Sequence, residues 1–318
     1  MSKSETIPRV TLNDVAVASG VSRSTVSFVL NDRADQTISP PTRERVQRVA
    51  RELGYVPHGI ARALREGSSR IVVVIVRRGL ESHYAGSFID GLDAELRRHD
   101  HVALVRHGDP DAASTRELLS PIMPRAVLDI GGNYLDGHVL DDPGGGWEDG
   151  LAAHTALQIR HLAERGHTHI AMAFAGPEES FGAEGLSGVR RRFARETVEK
   201  LGLHPLAELT LSAPREASAA ELRAFLADHP EVTAVAGLDD TIALRALAAL
   251  HDLGLAVPER IAVIGFDDFG YGALVTPSLT TVAIDAAGHG RRAARLALGL
   301  DASDVELSPG RILERQST

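Results

Sequence analysis

The chain has 318 residues and no cysteine. Without thiols it can have no disulfide framework, no thiolate zinc site and no cysteine nucleophile. Long apolar runs are also missing. The longest, Ile71 to Val76, falls far short of the roughly 20 residues that a membrane-spanning helix needs. The opening Met-Ser-Lys-Ser-Glu has no apolar export segment, so the expected location is the cytoplasm. Three catalytic or nucleotide-binding patterns are absent as well: a Walker-type phosphate loop, a Gly-x-Ser-x-Gly elbow and a His-Glu-x-x-His pair. His161, His167 and His169 span a helix end and a loop at a spacing ill suited to a metal, and no metal, cofactor or catalytic role is expected.

There is no overall basic excess either, because the net charge is −9. Its distribution is uneven. Residues 1–67 carry ten Lys/Arg against seven Asp/Glu, a charge of +3, and the remainder carries −12. Only the head is a candidate for contact with phosphate.

The first sixty residues read as short helices. Thr11-Leu-Asn-Asp14 has capping-box form and starts a helix through Val15, Ala16 and Ser19, which Gly20 ends. Ser22 caps a second helix whose apolar face is Val26, Val29 and Leu30. Ser39-Pro-Pro-Thr starts a third, with Val46, Val49, Ala50 and Leu53 at i, i+3, i+4 and i+7 and Gly54 as its stop. Pro57 precedes a short segment, His58 to Arg65, which Gly67-Ser-Ser closes like a linker.

From Arg70 the pattern changes. Ile71–Val76, Val102–Arg106, Ala126–Ile130, Ile170–Phe174, Val232–Ala236 and Ile261–Gly265 are short, β-rich apolar runs. Helical stretches at Gly86–Arg98, Leu151–Arg165, Gly188–Leu201, Ala217–Asp228 and Thr241–Leu253 separate most of them. That alternation predicts βαβ units and parallel sheets, in which ligands bind at the carboxyl ends of strands.

Two short helices around Gly20-Val-Ser have helix-turn-helix form. With Val26, Val29 and Leu30 turned inward, Arg23, Ser24, Ser27 and Phe28 share the opposite face, the one that enters the major groove in such a motif. Arg23 suits a bidentate contact to guanine, the serines suit bases or phosphate, and Phe28 suits a thymine methyl. On spacing alone, an ordinary three-helix cap with a polar face also fits.

Longer segments sharpen this. Val10-Thr-Leu-Asn-Asp-Val-Ala, Ala18-Ser-Gly-Val-Ser-Arg-Ser-Thr-Val-Ser-Phe-Val-Leu-Asn31, Ser39-Pro-Pro-Thr-Arg-Glu-Arg-Val and Leu53-Gly-Tyr-Val-Pro57 together resemble the signature of the LacI/GalR regulators. The resemblance continues through Gly166-His-Thr-His-Ile, Val257-Pro-Glu-Arg-Ile-Ala-Val-Ile-Gly-Phe-Asp-Asp268, Pro277-Ser-Leu-Thr-Thr-Val and the closing Arg315-Gln-Ser-Thr. It implies an all-α helix-turn-helix head at 1–57, a hinge helix and linker at 58–69, and an effector-binding and dimerisation body at 70–318. The body would be two Rossmann-like α/β lobes of periplasmic-binding-protein type, joined by three crossing strands.

The implied function is a sequence-specific, DNA-binding transcriptional repressor controlled by a small-molecule effector. Thr11, Ser22, Arg23, Ser24, Thr25, Ser27, Phe28, Asn31, Tyr55, His58, Ala61 and Leu64 would form the DNA-contacting set. Residues 58–65 match a hinge that folds on operator DNA, with Leu64 as a wedge between base steps and Ala61 at the packing of the two hinges. Phe28 and His58 depart from the residues common at their positions, so base preference there should differ. With no leucine heptads before Thr318, the expected assembly is a homodimer on a pseudo-palindromic operator.

In the body, the resemblance implies an effector-facing set of Asp267, Asp240, Arg77 and Tyr84. Asp267 just after a strand can accept two hydroxyl hydrogen bonds, which suits a polyol. A loop-capping role for Asp267 is the simpler alternative. Two departures bear on this pocket. Where many sugar-binding relatives carry Arg three residues before the glycine of Arg-x-x-Gly-x-x-x-Ala, this chain has Gly185 ahead of Gly188. The segment around Gly144-Gly-Gly-Trp147 also looks shortened. A solute-binding protein without a regulatory role fits the body alone but leaves the head unexplained.

Overall fold

The computed structural model describes residues 10–30, 37–55, 67–76, 83–108, 113–130, 150–176 and 186–318. The chain divides into two compact units, Met1–Ser69 and Arg70–Thr318.

In the first unit, α1 (Leu12–Ser19) opens with the capping box the sequence predicts. Asp14 N donates to Thr11 Oγ1 at 3.3 Å, and Thr11 N donates to Asp14 Oδ2 at 2.7 Å. It ends at Gly20, whose φ of +67° is a left-handed cap open to glycine at little cost. Ser22 caps α2 (Arg23–Leu30) by accepting from Thr25 N at 3.1 Å. The third helix, α3 (Pro40–Glu52), starts with proline in its first turn. Ser39 does not cap it through the side chain, because its hydroxyl shares a hydrogen bond with the Thr42 hydroxyl at 2.9 Å. Val15, Ala16, Val26, Val29, Val46 and Ala50 close the core of the three helices. Leu53, expected on the apolar stripe, is exposed at the C-terminal cap, where the helix no longer turns toward that core.

The second unit contains two α/β lobes. In the first, β1 (Ile71–Val76), α4 (His83–Arg98), β2 (Val102–His107), α5 (Ala113–Ile122) and β3 (Ala126–Asp129) place three parallel strands in the order β2-β1-β3. In the second, α6 (Leu151–Glu164), β4 (Ile170–Ala175), α7 (Leu186–Lys200), β5 (Ala207–Leu211), α8 (Arg215–Asp228), β6 (Ala234–Gly237), α9 (Asp240–Asp252) and β7 (Ala262–Ile264) give a parallel sheet ordered β5-β4-β6-β7.

The chain then returns to the first lobe. After β8 (Thr281–Ala283), helix α10 (Ala286–Leu298) packs against α4 and β3, and β9 (Arg311–Leu313) pairs antiparallel with β8 on the way back. Two of the three expected crossings are therefore described, and the third falls largely within residues 131–149, outside the described set. The α4–α10 crossing brings backbones into contact. A Cβ at Gly91 would strike Ala287 O, and one at Gly290 would strike Phe88 O. The C-terminal residues are tied to the second lobe through Ser317, which donates to Val263 O at 2.6 Å and accepts from Thr280 N at 2.8 Å. Among the described residues, no helix is long and apolar enough to cross a membrane.

Candidate DNA interface and effector site

On α2, Val26 and Val29 are buried, Arg23 and Ser24 are exposed, and Ser27 and Phe28 are half-buried at the edge. The polar face read from spacing is thus the face turned away from the core of the head. Thr11 and Ser22 stand at helix N-termini, where free N–H groups favour phosphate. The Thr25 hydroxyl lies 2.9 Å from that of Ser22, so the two act as one group. Tyr55 follows α3 half-buried against the head core, with its N–H on Ala50 O at 2.9 Å. Asn31, His58, Ala61, Leu64 and Arg77 lie outside the described residues.

In the body, the carboxyl end of β7 continues into Gly265-Phe266-Asp267-Asp268. Gly265 is required because a Cβ there would overlap the carboxylate of Asp240. Asp240, expected to face an effector, is 1% exposed, and its oxygens are already committed. Oδ1 accepts from Phe266 N at 2.8 Å and Thr281 Oγ1 at 2.5 Å, and Oδ2 accepts from Phe269 N at 2.8 Å. Asp240 therefore holds the loop that carries Asp267 and is not presented to a ligand. Its neighbour Asp239 caps α9 by accepting from Ile242 N at 2.8 Å.

Asp267 itself is held at φ +89°, and Asp268 at +47°. Left-handed backbone in two successive non-glycine residues costs free energy and is retained where a site needs it. Arg315 steadies the pair by donating to Asp268 Oδ1 at 3.0 Å and Leu279 O at 2.7 Å. Asp267 Oδ1 is sealed from solvent and has no hydrogen-bond partner among the described residues. Burial pushes its carboxyl up to about 7; Arg190 pulls against this, and Asp239 and Asp240 add to it. Tyr84 on α4 of the other lobe is 8% exposed, and its phenol is pushed upward by burial and by the Asp267 charge. Next to Tyr84, His83 meets Phe269 edge-on at 5.3 Å, a second link across the lobes.

Two residues at the site were not singled out from sequence. Arg190 on α7 is fully buried, with its Cζ 3.5 Å above the Phe266 ring. It donates to Thr155 Oγ1 at 3.3 Å, to Gln158 Oε1 at 2.5 Å and to Leu238 O. Gln158 on α6 donates in turn to Gly237 O and Gly265 O, both at 2.9 Å, and so joins the ends of β6 and β7. The three histidines have ordinary partners: Thr318 Oγ1 for His161, Thr233 Oγ1 for His167, and the stacked ring of His204 for His169.

A three-helix head with an outward polar face on α2, followed by a two-lobed α/β body with a carboxylate at a strand end, has the form of a DNA-binding regulator. Residues 11–58 match the model of bacterial regulatory proteins, lacI family, and residues 159–318 match that of a periplasmic binding protein-like domain. The transcriptional regulator CelR of Thermobifida fusca is 31% identical, with 91% of each chain covered. The transcriptional repressor PurR of Vibrio vulnificus is 26% identical over 86% of each. Among solved structures, the Lac repressor dimer bound to operator and the anti-inducer ONPF superposes with a TM-score of 0.74 at 23% identity, covering 97% of this chain and 99% of that one. The chain belongs to the LacI family, and it is a DNA-binding transcriptional regulator.

Proposed function

We propose that the chain is a cytoplasmic, homodimeric repressor without catalytic activity, released from its operator by a small neutral ligand. Residues 1–57 read DNA, 58–69 form the hinge and linker, and 70–318 sense the effector and dimerise. The polar face of α2, opposite Val26 and Val29, carries this reading. A solute-binding protein would have no use for it. Arg23→Ala is expected to weaken specific binding by about 1–3 kcal/mol while leaving most non-specific binding intact. Fluorescence anisotropy on a selected operator and on random duplex measures both. Equal losses on the two DNAs would remove Arg23 from base reading.

The dimer reading rests on a patch in the second lobe. Phe269, Tyr271 and Leu274 are 39, 57 and 79% exposed, and Phe269 and Tyr271 line a groove of about 420 Å³ together with Leu244, Arg245 and Ala248 of α9. A solved relative is described as a dimer on operator. An aromatic anchor of this kind contributes about 2–4 kcal/mol to association. Tyr271→Asp is therefore expected to shift the chain toward monomer in sedimentation equilibrium and to weaken operator binding with it. An unchanged dimer would place the interface elsewhere.

A further inference from the structure

In the sequence, Gly185 stands where many sugar-binding relatives carry arginine, yet a buried cation lies near Asp267. Arg190 enters from α7, five residues further along, at 0% exposure. It lies over Phe266, the residue that precedes Asp267, with its Cζ 3.5 Å from the ring centroid. Thr155, Gln158 and the Leu238 carbonyl fix the plane of the guanidinium, and Gln158 links it to the ends of β6 and β7. A guanidinium with three fixed partners and an aromatic face cannot swing out to meet a ligand without breaking all of them.

We propose that Arg190 is a positioning residue of the effector site: by clamping Phe266 and placing one fixed positive charge beside Asp267, it keeps that carboxylate available as an acceptor for a neutral, hydroxyl-bearing ligand. This rests on the reading of Asp267 as effector-facing. The charges around Asp267 fit a neutral ligand. Tyr84 faces it from α4, Asp239 and Asp240 from the turn into α9, and Arg190 from α7. Among the described residues, one cation stands with three carboxylates there, a balance that favours a neutral ligand over a carboxylate or phosphate. Arg190 is, among the described residues, what opposes burial and the two neighbouring carboxylates, so its loss would drive Asp267 toward the protonated form.

The test is a ¹³C-carboxyl NMR titration of the full chain labelled at aspartate, with Asp267→Asn identifying the resonance. Arg190→Met and Arg190→Gln are expected to raise the Asp267 midpoint by about one pH unit or more, and Arg190→Lys, which restores the charge, to leave it within a few tenths of wild type. If the neutral variants fail to fold while Arg190→Lys folds with a wild-type midpoint, the charge is still what the site requires, and the proposal stands. Three results would overturn it: a neutral variant that folds with an unchanged midpoint, a Lys variant shifted as far as Met, or loss of the fold in the Lys variant too. The titration needs no effector, so its failure is separate from failure of the effector reading. That reading fails if neutral mono- and disaccharides, cellobiose first, bind the wild type and Asp267→Asn equally well in thermal-shift assays.

Discussion

Asp240→Ala is expected to lower the stability of the body by about 3–5 kcal/mol. The substitution leaves the buried Phe266 amide and Thr281 hydroxyl without their acceptor, at about 1–3 kcal/mol for each orphan, and the half-buried Phe269 amide with a smaller loss. Burial raises the Asp240 carboxyl above its ordinary value, so relief of that cost offsets part of the loss. For a unit of this size the net effect is a fall of about 10 °C in the melting temperature, read by calorimetry. Asp240→Asn keeps one acceptor oxygen and is expected to cost about half as much. Gly265→Ala attacks the same contact from the other side, because its methyl would occupy the space of the Asp240 carboxylate. A melting temperature within 2 °C of wild type in Asp240→Ala would show that the loop does not depend on this carboxylate.

The head was legible in the sequence because short-range chemistry decides it. The capping box at Thr11, the left-handed Gly20 and the inward Val26 and Val29 are each set by residues within a turn or two. The parallel-sheet body was legible from alternation, but five elements were missed, the three-residue strands β8 and β9 among them. Strand β5 at Ala207–Leu211 is an edge strand that buries only alternate residues, so it lacks a continuous apolar run. Helix α5 ends on Pro121-Ile122, and α10 carries Gly288 and Gly290, both poor helix signals. In α10, Gly290 is there for the close crossing with α4, which only tertiary packing reveals.

The site followed a similar division. The position of Asp267 was legible because the apolar run of β7 ends just before it. Asp240 was identified as important but given the wrong role, since only three-dimensional structure shows its oxygens facing backbone amides. Arg190 sits in a run of three arginines that reads as a solvated surface. The available signal was periodicity: Arg190, Phe193, Ala194, Thr197 and Val198 form the buried stripe of α7. Gln158 likewise falls on the buried stripe of α6, with Leu151, Thr155 and Leu162. A long polar residue on an apolar stripe must find partners inside, and here both found them at the ends of the strands.

The buried ionisable groups of the site should give the body two opposing pH slopes. Burial pushes the Asp267 carboxyl up to about 7 in the folded chain, against about 3.9 when unfolded. The folded state therefore holds its proton more tightly, and the stability this contributes is present below pH 4 and is lost as pH rises toward 7. His154, 4% exposed at the start of α6, behaves in the opposite sense. Burial lowers it to about 4, with His289 and Arg190 adding to the effect. Its contribution is present above its unfolded value near 6.5 and is lost as pH falls toward 4. The two slopes largely cancel between pH 4 and 6.5 in the wild type, so single substitutions are needed to expose them. Asp267→Asn is expected to stabilise the body by about 2–4 kcal/mol at pH 8 relative to its effect at pH 4, because the amide carries no charge to bury. His154→Gln is expected to reverse the trend, with its deficit against wild type shrinking by about 2–3 kcal/mol from pH 7.5 to pH 4.5. Chemical denaturation at five or six pH values measures both differences. Parallel stability curves for Asp267→Asn and wild type would mean that Asp267 is ionised as readily in the fold as in the unfolded chain. If the slope is found, the strained carboxylate destabilises the folded chain at neutral pH, and a ligand that donates hydrogen bonds to it should bind more tightly as pH rises through 7.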